Sequence, residues 1–149
     1  MDARLEQLWE SIMNREYDRY NKANPGRWDF ENLLNSCPSR NVSLIVFLGK
    51  LNQQVDNGGF VQWLDNGYGV DVREYSWILE TLGDASREIA VMMRQAVEAY
   101  RQYEENRGDL DAAWEEMLSE LDLLDDKFYD EQFRDQWNKE LLSFAEGVE

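Results

Sequence analysis

Apolar residues recur at three- and four-residue spacing along almost the whole chain, and only two prolines and nine glycines interrupt its 149 residues. That period belongs to helices, because side chains three and four apart share a helix face while a strand alternates. The sequence predicts an all-α fold, a single compact domain of seven or eight helices. Leu5, Leu8, Trp9, Ile12, Met13, Glu16 and Tyr20 trace one face of a first helix at about 2–20, which Asn24-Pro25-Gly26 ends. A short helix is expected at 29–35. A third, at 42–56, is capped by Ser39 or Asn41, and its Leu44-Ile45-Val46-Phe47-Leu48 block is apolar all round, which marks the most buried helix. Asn57-Gly58-Gly59 should break the chain before a short helix at 60–65, and Asn66-Gly67-Tyr68-Gly69 should break it again. Asp71 and Asp84 are the expected N-caps of helices at 72–82 and 85–106. Asp109 opens another to about 125, and the last covers about 130–144. The six tryptophans fall mostly on apolar faces and are expected in the core, Trp28 beside its turn being the exception.

A chain of this length buries roughly 68–70% of its unfolded surface, so it needs no disulfide or structural metal to fold. Its lone Cys37 has no partner within the chain, and a free thiol fits a reducing, cytoplasmic setting. The longest apolar stretch, Val42 to Leu48, falls far short of the ~20 residues a bilayer demands, so no membrane association is expected. Histidine is absent, which removes the commonest general base, the Ser/His and Cys/His nucleophile pairs and most transition-metal ligand sets. Asp109-Leu110-Asp111 lacks the glycine and the spaced ligands of a calcium loop. No enzyme activity, metal or cofactor is expected.

Charge is unevenly placed. The chain carries 31 acidic against 15 basic residues, net −16. Residues 1–108 hold 17 acids and 12 bases, whereas residues 109–149 hold 14 acids and 3 bases, so the last quarter is −11. Such a surface repels nucleic acid and anionic membranes and attracts basic protein surfaces, more strongly at low salt. Ten acids crowd into 23 residues: Asp109, Asp111, Glu115, Glu116, Glu120, Asp122, Asp125, Asp126, Asp130 and Glu131, with Asp135 just beyond. On a helix rising 1.5 Å per residue this stretch spans about 35 Å with a carboxylate every ~3.5 Å, close to the ~3.4 Å rise per phosphate of one DNA strand. Leu110, Trp114, Met117, Leu118, Leu121, Leu124 and Phe128 form the opposing apolar stripe, which turns the acids outward. Like charges three or four apart, as at Asp111/Glu115, Glu116/Glu120 and Asp122/Asp126, each cost a helix roughly 0.2–0.5 kcal/mol. A face that only had to be soluble could alternate Glu with Lys and gain stability instead.

The most distinctive local pattern is Asn57-Gly58-Gly59-Phe60, with Trp63 and Asn66 following. Its plain reading is a structural corner, since Gly and Asn are what helix ends need. A phosphate-cradling loop is a poor fit, because no Gly-Lys-Ser/Thr follows and the neighbourhood is acidic. Together with Leu82-Gly83-Asp84 and the late Leu124-Asp125-Asp126-Lys127-Phe128-Tyr129, this pattern resembles the bacterial DNA-mimic proteins over roughly residues 40–144. The resemblance implies an all-helical acidic protein, monomer or homodimer, that occupies the DNA-binding surface of a basic partner and does not itself bind nucleic acid. It supplies no catalytic residues. Two other readings compete: an acidic immunity or interaction protein that covers a basic partner without imitating DNA, and a hydrolase with a carboxylate pair, which nothing in the sequence singles out.

Overall fold

The apolar period does produce helices throughout. A computed structural model describes residues 2–148, and within them the elements are α1 (Ala3–Ala23), α2 (Phe30–Ser36), α3 (Arg40–Asp65), α4 (Val72–Leu79), α5 (Asp84–Glu104), α6 (Leu110–Tyr129) and α7 (Glu131–Val148). Among the described residues there is no strand, and no helix is long and apolar enough to cross a membrane. α3 is the hub. Its Leu44, Val46, Phe47, Leu48, Leu51 and Val55 are sealed from water, as an apolar block without a polar side must be, and α1, α2, α5, α6 and α7 all pack on it. Gly49 lets α1 come close. A Cβ there would lie 1.7 Å from the Trp9 indole nitrogen, which instead donates to the Val46 carbonyl at 3.4 Å. On the other flank the Trp137 indole of α7 donates to Asn52 Oδ1 at 3.0 Å, a buried polar pair inside the core.

Several local expectations are corrected. The Asn57-Gly58-Gly59 break is not among them: Gly58 and Gly59 are non-helical, and the kink they make divides α3 into two helical segments, the second ending at Asp65. Asp84 is not the N-cap of α5. Gly83 holds that position without a side chain, and Glu140 of α7 does the capping. Its Oε1 accepts from the Ser86 N–H at 2.8 Å and the Ser86 hydroxyl at 2.6 Å, and its Oε2 accepts from the Ala85 N–H at 3.2 Å. Asp71 does occupy the α4 N-cap but in the left-handed region, with no side-chain bond. α4 ends at Leu79, three residues early, whereas α7 runs past residue 144 to Val148. Trp77 is not core. It lies off the Val72-Tyr75-Ser76-Leu79 stripe of α4 and is 71% exposed. Trp28 is half exposed, stacked on Tyr17 with ring centres 4.6 Å apart.

The Glu140 clasp carries a prediction. Burial works against its charge, but hydrogen bonds from Ser86, Gln136 and the Ser86 and Ala85 backbone outweigh burial and hold its carboxyl below the usual glutamate range. A carboxylate with a lowered folded pKa contributes stability above its unfolded value of about 4.3 and loses it as pH falls through the folded value. Glu140→Gln should therefore destabilise the protein by about 1–2 kcal/mol at neutral pH, the range of a lost cap with its charge–dipole contribution. Urea melts at neutral pH and in strong acid should show that gap closing on acidification.

Candidate partner-binding face

α6 begins where Asp109 caps it, accepting from the Asp111 and Ala112 N–H groups at 3.0 and 3.2 Å. Met117, Leu121, Leu124 and Phe128 bury one side of the helix, although Leu110 of the expected stripe is left exposed. At about 100° per residue the acids fall into two rows on the other side. Asp111, Glu115, Asp122 and Asp126 share one arc of about 60°. Glu116 and Glu120 lie about 130° round from its middle, on a stripe that continues through Leu123 to Lys127. Past the α6–α7 turn, Asp130 caps α7 by accepting from the Phe133 N–H at 3.0 Å, and Glu131 and Asp135 extend the acid surface one turn further.

Ten of the eleven carboxylates singled out in the sequence are exposed: Asp109, Asp111, Glu115, Glu116, Glu120, Asp122, Asp126, Asp130, Glu131 and Asp135. Among the described residues none of the ten is in an ion pair. The arginines are engaged elsewhere: Arg15 and Arg19 on buried Glu16, Arg40 on Glu74, Arg94 on Glu80, Arg101 on Glu98 and Glu105. Arg134 of α7, one residue before Asp135, is held by Asp56 at 2.6 Å and lies 4.4 Å over the Phe128 ring. Its charge is thereby met by Asp56 and the Phe128 ring and not by the acids of the face.

Asp125 differs. It turns inward and accepts from the Phe60 N–H at 2.8 Å, just after the α3 kink. One turn on, the Tyr129 hydroxyl donates to the Val55 carbonyl, just before the kink. A kink opens the helical ladder, and these two α6 side chains, four residues apart, supply partners on either side of the gap. From within α3, Gln54 Oε1 accepts from Gln62 Nε2 at 3.1 Å and Asn66 Nδ2 at 2.8 Å, bracing the bend. The corner of Asn57, Gly58, Gly59, Phe60 and Asn66 is thus a seat for α6. Sequence reading missed this link because Asp125 and Phe60 lie 65 positions apart.

Burial pushes the Asp125 carboxyl above the usual aspartate range, the Phe60 N–H pulls it back, and neighbouring Asp122 and Asp126 push it up again. Its charge is a burden, and its acceptor oxygen is what the fold uses. Asp125→Asn keeps an oxygen for Phe60 and sheds the charge, so it should leave thermal stability within about 1 kcal/mol of wild type, whereas Asp125→Ala should lower it by about 1–3 kcal/mol by orphaning a buried N–H. Thermal melts of the two variants at neutral pH check the contrast.

Residues 39–147 match the family described as DMP19-like protein. The chain belongs to the DMP19-like family. That family is one of DNA-mimic proteins, and the matched span nearly coincides with residues 40–144 over which the sequence resembles such mimics. Searches of curated proteins and of solved structures returned no match.

Proposed function

We propose that this DMP19-like protein binds the nucleic-acid-binding surface of a basic protein, such as a transcription regulator, nuclease or defence protein, and keeps DNA off it without any bond chemistry. One observation carries the reading: among the described residues α6, its cap and the start of α7 hold ten exposed acids, none of them in an ion pair. The two rows on α6 lie about 10 Å apart across a helix 10–12 Å wide, between the ~6 Å and ~12 Å widths of the DNA grooves. Lysines and arginines arranged to meet two phosphate strands find two lines of carboxylates instead, and each contact is a charge-assisted hydrogen bond.

A second reading, cover of a basic partner without imitation of a duplex, is favoured by the inequality of the rows: four acids in one, two acids with Leu123 and Lys127 in the other. Affinity capture on the immobilised protein from extract of its native host, eluted in parallel with salt and with duplex DNA, decides between them. Mimicry expects basic DNA-binding proteins released by both. Captured proteins that ignore added DNA would leave the second reading standing and end the first.

A further inference from the structure

Three clefts run end to end along the seam between α5 and α6, sharing Gln95 and Lys127 at one junction and Ala99, Gln102 and Glu120 at the next. From Arg87 to Gln102 this groove is about 22 Å long, roughly four turns of helix. Its floor is apolar, made by the buried side chains of Met92, Ala99 and Leu124. Along it Val91, in one cleft, and Leu123, in the next, stand 39% and 65% exposed. Leu123 occupies the acid stripe itself, where a carboxylate would continue the row of Glu116 and Glu120. A surface working by charge alone gains nothing from an exposed leucine there. Single exposed leucines are ordinary, but one that shares a continuous apolar floor with a second exposed aliphatic in the adjoining cleft is a patch of the kind that marks an interface.

We infer that the groove seats the apolar face of a basic amphipathic helix on the partner. One aliphatic or aromatic side chain packs beside Leu123 on the floor of Ala99 and Leu124, and cationic neighbours on the same helix meet Glu116 and Glu120. The inference rests on the proposed acidic face for the partner's charge and adds an anchor that charge does not provide. The far end of the groove, with Arg87 and Lys127 against the single acid Glu88, is the less acidic one, so the docked helix has one favoured direction, its basic turns toward Glu116 and Glu120. Burial of apolar surface is not screened by salt, so the anchor supplies affinity that persists when the acid rows are screened. A second copy of this chain, itself at net −16, would bring like acid rows together and is the disfavoured occupant.

The test uses two synthetic basic helical peptides about five turns long. Both carry the same lysines, one with a leucine stripe and the other with alanine at those positions. Binding is measured by calorimetry at low and at physiological salt. Wild type should prefer the leucine peptide by about tenfold at physiological salt, the scale of one interface anchor. Leu123→Glu should abolish the preference although it makes the protein more acidic, and Leu123→Ala should abolish it without any added charge. Ser119→Glu, which adds the same charge at an exposed position between the rows, should keep the preference and tighten both peptides. Equal affinity of the two peptides for wild type, absence of binding included, overturns the inference. So does Leu123→Glu tightening both peptides as Ser119→Glu does, or a wild-type dimer in sedimentation that Leu123→Glu dissociates while the preference survives. The acidic-face reading fails on a separate result, both affinities unchanged when Glu115, Glu116, Asp122 and Asp126 are reversed.

Discussion

Replacing Glu115, Glu116, Asp122 and Asp126 together by lysine should cost the protein about three decades of affinity for its basic partner at low salt while leaving the fold intact. The fold survives because all four side chains are exposed and none is bonded to another part of the molecule among the described residues. Helix α6 should gain slightly. Asp111/Glu115, Glu116/Glu120 and Asp126/Asp130 each turn from a repulsion to an attraction worth roughly 0.2–0.5 kcal/mol, and only the 122/126 repulsion persists. Binding loses about 1 kcal/mol for each of four contacts, near the upper end for exposed ion pairs because attraction becomes repulsion. The sum of about 4 kcal/mol is close to a thousandfold. The loss should shrink as salt rises, since exposed charges are screened within ~8 Å at physiological ionic strength. Reversing Glu6, Glu10, Asp18 and Glu31, also exposed, changes net charge equally on other helices, α1 and α2, and should cost less than tenfold. Equal losses from the two sets, measured by calorimetry against the captured partner, would assign the attraction to overall charge and remove the site.

The helices and the outward turn of the acids were legible because both depend on a period of three to four residues, which local sequence carries. What the sequence concealed depends on distant partners. Gly58-Gly59 reads as a break, and the helix is broken there; what no local pattern tells is that Asp125 and Tyr129 of α6 fill the opened ladder. Asp84 has the chemistry of an N-cap, but Glu140 of α7 reaches the same N–H groups first. Asp125 looked like its acidic neighbours because the residue that distinguishes it, Phe60, belongs to another helix. Leu123 could have been noticed, since it lies off the apolar stripe of α6. Its significance needed Gln95 and Ala99 from α5, which line the same cleft and which no local pattern encodes. Trp77 was misplaced by its residue type, although its absence from the buried stripe of α4 gave the better signal.

The two glycines of the corner should respond very differently to substitution, and the difference tests whether the bend holds α6 in place. Gly59 has φ +79° and ψ 178°, a region almost closed to any residue with a Cβ, at a cost of about 1–3 kcal/mol. A Cβ there would also come within 2.4 Å of Asp125 Oδ2. That carboxylate can retreat only by releasing the Phe60 N–H, a further 1–3 kcal/mol or so for a buried donor left unpaired. Gly59→Ala should therefore destabilise the protein by about 3–5 kcal/mol in urea titration. Gly58 has φ −160°, outside the left-handed region, and its added Cβ would meet the Gln62 side chain, up to its Cβ at 3.0 Å, which can swing aside by giving up its bond to Gln54, so Gly58→Ala should cost about 1–2 kcal/mol. The pair also reports on function. With Asp125 displaced, α6 loses one of the two bonds that fix it to α3 at the kink, so folded Gly59→Ala should bind the basic partner more weakly than wild type although no exposed acid has changed. Gly58→Ala should bind as wild type does. Equal stability of the two variants would mean that the kink tolerates a side chain and that Asp125 does not hold the acidic helix in position.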